Sequence, residues 1–210
     1  MTSNSSNSFD EKAATWDDDP AKVERSGAIA RAIRDVVPLD GSERLLEYGA
    51  GTGLVTQSLR SAVGPVTLAD TSAGMRAVME AKVAAGDLAD ARIWDVDLSA
   101  GPVPDERFDL VVTVMALHHI DDIAPVLAAF HTLLEPGGHL CVVDLDAEDG
   151  SFHTGEFHGH PGFERHVMAS RLADAGFTDV AVHDAGHVDR NGVDYPLFLA
   201  CCRRPQAPTA

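Results

Sequence analysis

The sequence has few cysteines and no long apolar run, and each of these absences excludes a class of protein. No run of about 18 apolar residues occurs, so the sequence predicts no transmembrane helix. The first seven residues are rich in Ser and Asn and lack a basic or apolar region, so we expect no secretory signal. Three cysteines lie within apolar runs, without the spacing of a disulfide framework or a metal site: Cys141, Cys201 and Cys202. We expect buried thiols in the reducing cytoplasm.

Basic residues are also scarce: 16 Lys and Arg stand against 33 Asp and Glu, for a formal charge of −17. Nucleic-acid binding draws its affinity from cations that neutralise phosphates, and this charge repels phosphates and anionic membranes alike. We therefore expect neither nucleic acid nor membrane as a partner. A chain of 210 residues suits one domain, residues 1–210, with residues 1–8 predicted to be disordered.

Apolar patterning predicts strands and helices that alternate up to residue 145, which favours a parallel, doubly wound α/β sheet. The five predicted strands of this part are 45–48, 66–69, 91–96, 108–114 and 139–145. An irregular loop at 147–162 and a helix at 163–175 follow. Two short strands, 180–183 and 197–201, have only a loop between them, which favours antiparallel pairing.

A glycine-rich turn follows the first strand, within the run from Leu45 to Val55. Gly49, Gly51 and Gly53 occupy alternate positions, and a helix-compatible segment begins at Leu54. Strand, tight turn and helix in this order are typical of a cofactor site in an α/β sheet. Leu54 stands where the dinucleotide fingerprint has its third glycine, and no Gly-Lys-Ser/Thr follows, so the run is not a phosphate loop.

Five features follow one another in a fixed order along residues 40–145. They are Glu47 to Gly53, Asp70 after the second strand, Asp97-Leu98, Phe108-Asp109-Leu110-Val111, and Leu133-Leu134-x-Pro136-Gly137-Gly138. Together they resemble the class I S-adenosylmethionine (SAM)-dependent methyltransferases. The resemblance implies a Rossmann-like, doubly wound, mostly parallel seven-stranded sheet whose last strand is antiparallel. It also implies an enzyme that transfers a methyl group from SAM to a small-molecule acceptor.

The resemblance also implies which residues bind SAM. The expected set is Glu47, Gly49, Ala50, Gly51, Gly53, Asp70, Thr71, Asp97, Leu98 and Met115. Glu47 would orient the methionine ammonium, and Asp70 would accept the two ribose hydroxyls. Asp97 would meet the adenine amine, with Asp95 as the alternative in the same Asp-x-Asp.

Catalytic residues are less constrained, because a sulfonium methyl is already activated and positioning supplies much of the rate. The candidates are His118, Asp144 and His153, and a base is needed only where the acceptor must lose a proton. We predict no metal: the histidines of the loop, with Glu156, match no zinc signature.

Residues 9–37 are expected to form an N-terminal lid and helix, and residues 146–201 the substrate loop, helix and closing strand pair. Substrate choice is expected to reside mainly in residues 146–166 together with the lid. The acceptor, its reacting atom (O, N, C or S) and the oligomeric state stay open. A catalytically silent SAM-binding or regulatory protein and a nucleotide-dependent oxidoreductase are the alternatives.

Overall fold

The computed structural model describes residues 9–153 and 157–207. The chain divides into two compact units, Met1–Asp97 and Leu98–Ala210. The predicted disorder of residues 1–8 lies outside the described residues, and the prediction of a single domain stays a prediction. Within the described residues, every helix is too short or too polar to cross a bilayer.

The described residues of the first unit include parallel strands and α-helices. The strands are β1 (Leu45–Tyr48), β2 (Val66–Ala69) and β3 (Arg92–Trp94), and the helices are α1 (Pro20–Val36), α2 (Leu54–Leu59) and α3 (Ala73–Ala85). Short 3₁₀ segments lie at Ala13–Asp18 and Arg60–Ala62. β1 pairs with β2, and β2 pairs with β3. Every residue of β1 and β2 is buried, as expected for parallel strands covered on both faces.

The part of the second unit that the structure describes contains four strands and two α-helices. The strands are β4 (Phe108–Val114), β5 (Leu134–Leu145), β6 (Thr178–Arg190) and β7 (Val193–Arg203), and the helices are α4 (Ala124–Leu133) and α5 (Arg165–Asp174). β4 and β5 are parallel, whereas β7 runs antiparallel to both β5 and β6. A 3₁₀ turn at Leu117–His119 follows β4.

The predicted fold class is confirmed. The described residues form seven strands, in the order β3-β2-β1 within the first unit and β4-β5-β7-β6 within the second, where the antiparallel pairing of β7 makes the strand set mixed. The closing strands are longer than predicted, because they form a hairpin that turns at Asn191 and Gly192. Both turn residues have positive φ, 56° and 78°, the conformation that Asn-Gly favours in two-residue hairpins.

Local signals place the helix ends. The Asp19 side chain accepts a hydrogen bond from the Ala21 N–H at 3.0 Å and caps α1. Ser72 is the N-cap of α3, as its residue type favours, since its hydroxyl accepts the Met75 N–H at 3.2 Å. The three cysteines are buried and free, as predicted, and the sulfurs of Cys141 and Cys201 lie 3.7 Å apart between paired strands.

The N-terminal segment, residues 9–18, is hydrogen-bonded to the start of α3. One oxygen of Asp10 accepts the Ser72 hydroxyl at 2.5 Å and the Gly74 N–H at 2.8 Å. These bonds hold the pKa of Asp10 below its usual value. The contact is tight, because a Cβ on Gly74 would lie 2.8 Å from the Asp10 backbone. The segment therefore depends on a glycine that is 64 residues away.

We expect Gly74→Ala to displace the N-terminal segment, because the added methyl overlaps the Asp10 backbone. The loss of stability should be about 1–3 kcal/mol, the usual cost of overpacking. Urea unfolding measures this, and trypsin should cut faster after Lys12. The control is Gly27→Ala in the interior of α1, where the nearest atom is 3.6 Å away. It should stabilise by about 0.5–1 kcal/mol. Equal stability of the two variants would contradict the expectation.

Candidate functional site

The glycine turn of the first unit has the left-handed conformation that its sequence favours. Gly49, Gly51 and Gly53 have φ of 70°, 58° and 80°. A Cβ on Gly53 would lie 3.0 Å from Leu88 and 3.3 Å from Leu68, whereas one on Gly51 would meet nothing within 4 Å. Gly53 is therefore required by packing, and Gly51 lies against open space at the tip of the turn. Ala50, between the first two glycines, is buried.

Asp70 ties this turn to the end of β2. One carboxylate oxygen accepts the Gly51 N–H at 2.7 Å and the other accepts the Ser72 N–H at 2.8 Å. Burial raises the pKa of Asp70, although both bonds act in the opposite direction. Each oxygen keeps a further lone pair for a ligand hydroxyl. The predicted role of Asp70 toward ribose stays a prediction, and its role in holding the turn was missed by the sequence reasoning.

Glu47 is buried at the end of β1, with 2% of its surface exposed. One of its oxygens accepts the Thr56 N–H at 3.1 Å and the Thr56 hydroxyl at 2.5 Å. Burial outweighs these bonds and raises the pKa of Glu47 to about 7. A carboxylate in this setting is charged only above neutral pH unless a cation pairs with it. The predicted partner is the ammonium group of SAM, whose positive charge would stabilise the charged form of Glu47.

The two aspartates proposed for adenine have different surroundings. Asp95 forms an ion pair with Arg76 at 2.9 Å, and its side chain is 69% exposed. Asp97 is half-buried. Which of the two aspartates meets the adenine stays a prediction. Thr71 is exposed beside Asp70.

The N-terminal segment also contacts the glycine turn. One oxygen of Asp17 accepts the Thr52 hydroxyl at 2.5 Å, and the other lies 2.5 Å from the Lys82 ammonium. Lys82 in turn donates to the Thr52 carbonyl and to the Gln57 side chain, both at 2.8 Å. Within this segment Phe9 and Trp16 form an edge-to-face pair with ring centroids 5.9 Å apart. The lid function predicted for the segment stays a prediction, and these bonds are what would hold it.

Two predicted cofactor residues, Leu98 and Met115, lie in the second unit. Met115 has φ of 53°, directly after β4, and its N–H donates to the Val143 carbonyl at 2.8 Å. Positive φ costs energy in a residue with a side chain and is concentrated at functional sites. Leu98 is buried, with 3% of its surface exposed.

His118 and Asp144, two of the three catalytic candidates, form a buried pair. The His118 Nδ1 lies 2.5 Å from an Asp144 oxygen, and the side chains are 1% and 0% exposed. The backbone N–H groups of His118 and Leu145 also bond to this carboxylate, at 3.2 Å and 2.8 Å. Within the described residues, the His118 Nε2 is buried and has no hydrogen-bond partner. The carboxylate therefore orients an imidazole whose second nitrogen is available to a ligand.

The third candidate, His153, lies in the same cluster. Its ring centroid is 5.3 Å from His118 and 5.1 Å from His119. Phe157 stacks on His153 at 3.7 Å, and Phe152 lies 5.0 Å from it. The sequence reasoning missed both phenylalanines, since aromatic residues in an irregular loop have no periodic signal.

The loop after β5 folds back over the 3₁₀ turn. The His160 N–H donates to the His118 carbonyl at 2.8 Å, and a Cβ on Gly159 would overlap that carbonyl. The His160 ring lies 3.1 Å from the Asp121 carbonyl, while His158 is exposed. Of the loop histidines, the structure therefore places His153 with His118 and leaves the other two outside the cluster.

The Glu47 carboxyl gives a testable pH dependence. Its pKa of about 7 lies above the ordinary 4.5, so folding favours the protonated form. Its stability contribution is complete below pH 4.5 and is lost as the pH rises to 7. Glu47→Gln keeps the neutral form at every pH. We expect the variant to gain about 2 kcal/mol over wild type between pH 5.5 and pH 8.

Urea unfolding of both proteins at the two pH values measures this gain. The matched control is Glu24→Gln, at an exposed position of α1, whose stability should follow that of the wild type at both values. A Glu47→Gln protein with the pH dependence of the wild type would show that Glu47 is not the titrating group.

Comparison with known proteins supplies the family. The family description "Methyltransferase domain" matches residues 22–182. An uncharacterized methyltransferase of Mycobacterium tuberculosis is 34% identical over 108 residues, which are 51% of this chain and 53% of that protein. The ubiquinone/menaquinone biosynthesis C-methyltransferase of Stutzerimonas stutzeri is 32% identical over 128 residues, 57% of this chain and 50% of that protein. The chain thus spans about half the length of the curated relatives it matches.

Among solved structures, a SAM-dependent methyltransferase from Aquifex aeolicus superposes with a TM-score of 0.70 at 17% identity. The superposition covers 92% of this chain and 97% of that chain. The family match covers most of the sequence and contains the glycine turn, Asp70 and the His118–Asp144 pair. The chain belongs to the class I SAM-dependent methyltransferases.

Proposed function

We propose that this protein transfers a methyl group from SAM to a small-molecule acceptor. The observation that carries the proposal is the buried His118–Asp144 pair, which leaves one imidazole nitrogen without a partner in the described residues. A buried polar atom in this state costs free energy, which a ligand can recover. A member of the family that merely bound SAM would have no use for this arrangement.

SAM binding is assigned to the glycine turn, Glu47 and Asp70 of the first unit. The backbone of Gly49 to Gly53 passes under the ligand, and the start of α2 favours its carboxylate. Glu47 pairs with the ammonium, which restores its charge at neutral pH. Asp70 accepts the ribose hydroxyls while it keeps its bonds to the Gly51 and Ser72 N–H groups.

Methyl transfer itself is an in-line displacement. A lone pair of the acceptor attacks the methyl carbon, and the bond from that carbon to sulfur breaks. The electron pair stays on sulfur, so the sulfonium becomes the neutral thioether of S-adenosylhomocysteine. A hydroxyl or amine acceptor also loses a proton. The His118 Nε2 carries the lone pair that can receive this proton.

The acceptor is proposed to be a small molecule with an apolar part and a polar reacting group. Support comes from the aromatic rings beside His118, namely His119, Phe152, His153 and Phe157, which exclude water. The charge of −17 opposes nucleic acid and anionic membranes as partners. Three buried, free thiols agree with a reducing compartment such as the cytoplasm.

Calorimetric titration tests the cofactor. SAM and S-adenosylhomocysteine should each saturate one site, and NAD should give no heat. Asp70→Ala should weaken SAM binding by roughly 2–4 kcal/mol, because each hydrogen bond to a charged group is worth about 1.5–3 kcal/mol. Asp87→Ala, at an exposed position of the same unit, is the control and should bind normally.

Circular dichroism must first establish that Asp70→Ala is folded, since two N–H groups lose their acceptor. Saturable NAD binding without heat from either sulfur compound would overturn the cofactor assignment. Normal SAM affinity in a folded Asp70→Ala protein would leave Asp70 with its role in the glycine turn alone.

Turnover separates the cofactor residues from the catalytic pair. The probe is SAM with a labelled methyl group, incubated with small-molecule fractions of a cell extract. His118→Gln and Asp144→Asn should bind SAM normally and lower kcat by about 10²–10⁴-fold. His183→Gln, exposed on β6, should keep full turnover. Label incorporation by His118→Gln at the wild-type rate would contradict the role of the pair.

A further inference from the structure

Three imidazoles converge in the second unit at one place. His118, His119 and His153 each offer a ring nitrogen, and these nitrogens lie within 4.8 Å of one another. His118 is fully buried, and the other two are half-buried. His118 and His119 come from the 3₁₀ turn after β4, whereas His153 comes from the loop after β5. A cluster drawn from two separate segments is a feature that the sequence spacing did not predict.

The tautomer of His118 is set by its neighbour. The Asp144 carboxylate lies 2.5 Å from Nδ1, so that nitrogen carries the hydrogen and Nε2 carries the lone pair. Within the described residues this Nε2 is buried and has no hydrogen-bond partner. Metal-binding histidines commonly donate their other N–H to a carboxylate, which fixes the ring and makes the free nitrogen more basic.

We propose that His118, His119 and His153 bind one divalent transition-metal ion of the zinc type. Asp144 is the positioning residue that orients His118. Imidazole donors suit zinc, copper, iron and nickel, whereas magnesium and calcium require oxygen ligands, so the donor set selects the class of ion. Binding removes the cost of the buried, unpaired Nε2.

Two of the three distances between ring centroids fit such an ion. With zinc–nitrogen bonds of about 2.0–2.1 Å, tetrahedral imidazoles have ring centroids about 5.2 Å apart. The His118–His153 and His119–His153 centroids are 5.3 Å and 5.1 Å apart. The His118–His119 centroids are closer, at 4.1 Å, so these neighbouring rings must open when an ion enters.

Three protein ligands leave a coordination position open, as in catalytic rather than structural zinc sites. This part of the inference rests on the proposed function. The open position would take the reacting atom of the acceptor and lower the pKa of a hydroxyl or thiol there. The proton then leaves to water, and His118 remains a neutral ligand instead of receiving it. The metal content of the protein therefore shows whether the His118 Nε2 accepts a proton or binds a metal ion.

Cobalt titration of the full chain tests the site. The protein, without an affinity tag and stripped with a chelator, is titrated with Co²⁺ while its visible absorption is recorded. We expect one equivalent to bind with the bands of a tetrahedral site, and one equivalent of Zn²⁺ to remove them. His153→Gln should lose these bands, and Asp144→Asn should bind 10–100-fold more weakly, the usual effect of removing such a carboxylate. His166→Gln, exposed on α5, should match the wild type.

Thermal unfolding of the wild type keeps the test valid if a variant does not fold. Zn²⁺ in excess of its dissociation constant should raise Tm, because an ion that binds only the folded state stabilises it. Absence of a one-equivalent Co²⁺ spectrum, or a His153→Gln spectrum like that of the wild type, would overturn the proposal. Co²⁺ binding without any methyl transfer would support the metal site and contradict the proposed function. Methyl transfer without Co²⁺ binding would support the proposed function and overturn the metal site.

Discussion

A carboxylate at the end of one parallel strand holds the loop that follows the neighbouring strand, and both units depend on this interaction. In the first unit Asp70, after β2, accepts the Gly51 N–H of the turn that follows β1. In the second, Asp144 near the end of β5 accepts the His118 N–H of the turn that follows β4. Loops at the carboxyl ends of parallel strands lie where ligands bind. The same bond therefore fixes the backbone geometry of both candidate binding regions.

The Glu47 and Asp70 carboxylates of the first unit are costly to bury, and burial favours their protonated forms. Burial raises the pKa of Glu47 to about 7 and raises that of Asp70. Such shifts are concentrated at functional sites, where a charged ligand supplies the compensation that the protein alone lacks. A sulfonium and an ammonium on one ligand match a region rich in buried acids. The acidic composition of the chain thus has a local counterpart in the first unit.

The His118–Asp144 pair serves either chemistry proposed for it. The carboxylate fixes the tautomer, and the remaining nitrogen can receive a proton or bind an ion. Both uses need an imidazole that is held in place and a dry environment, which Phe152 and Phe157 provide. The backbone bond from His160 to the His118 carbonyl, with Gly159 beside it, keeps the covering loop on the cluster. The tight packing of this loop keeps the His118–Asp144 pair buried in a fixed orientation.

The sequence by itself determined the sheet class, the glycine turn, most of the helices and the cap at Ser72, because these follow from periodicity and from bonds between residues a few positions apart. The antiparallel pairing of the closing strands was also predicted, but the Asn-Gly hairpin was not, and the strands were predicted too short because their exposed residues break the apolar pattern. Only the tertiary structure decided that His118 meets Asp144, 26 residues away, and that Asp10 meets Ser72, 62 residues away. Such pairs depend on the register of the strands and on the path of loops that have no periodic pattern. The tertiary structure also decided the contact of His153 with His118 and the hydrogen bonds of buried Glu47. In both cases the packed core determines which strand ends and loops meet.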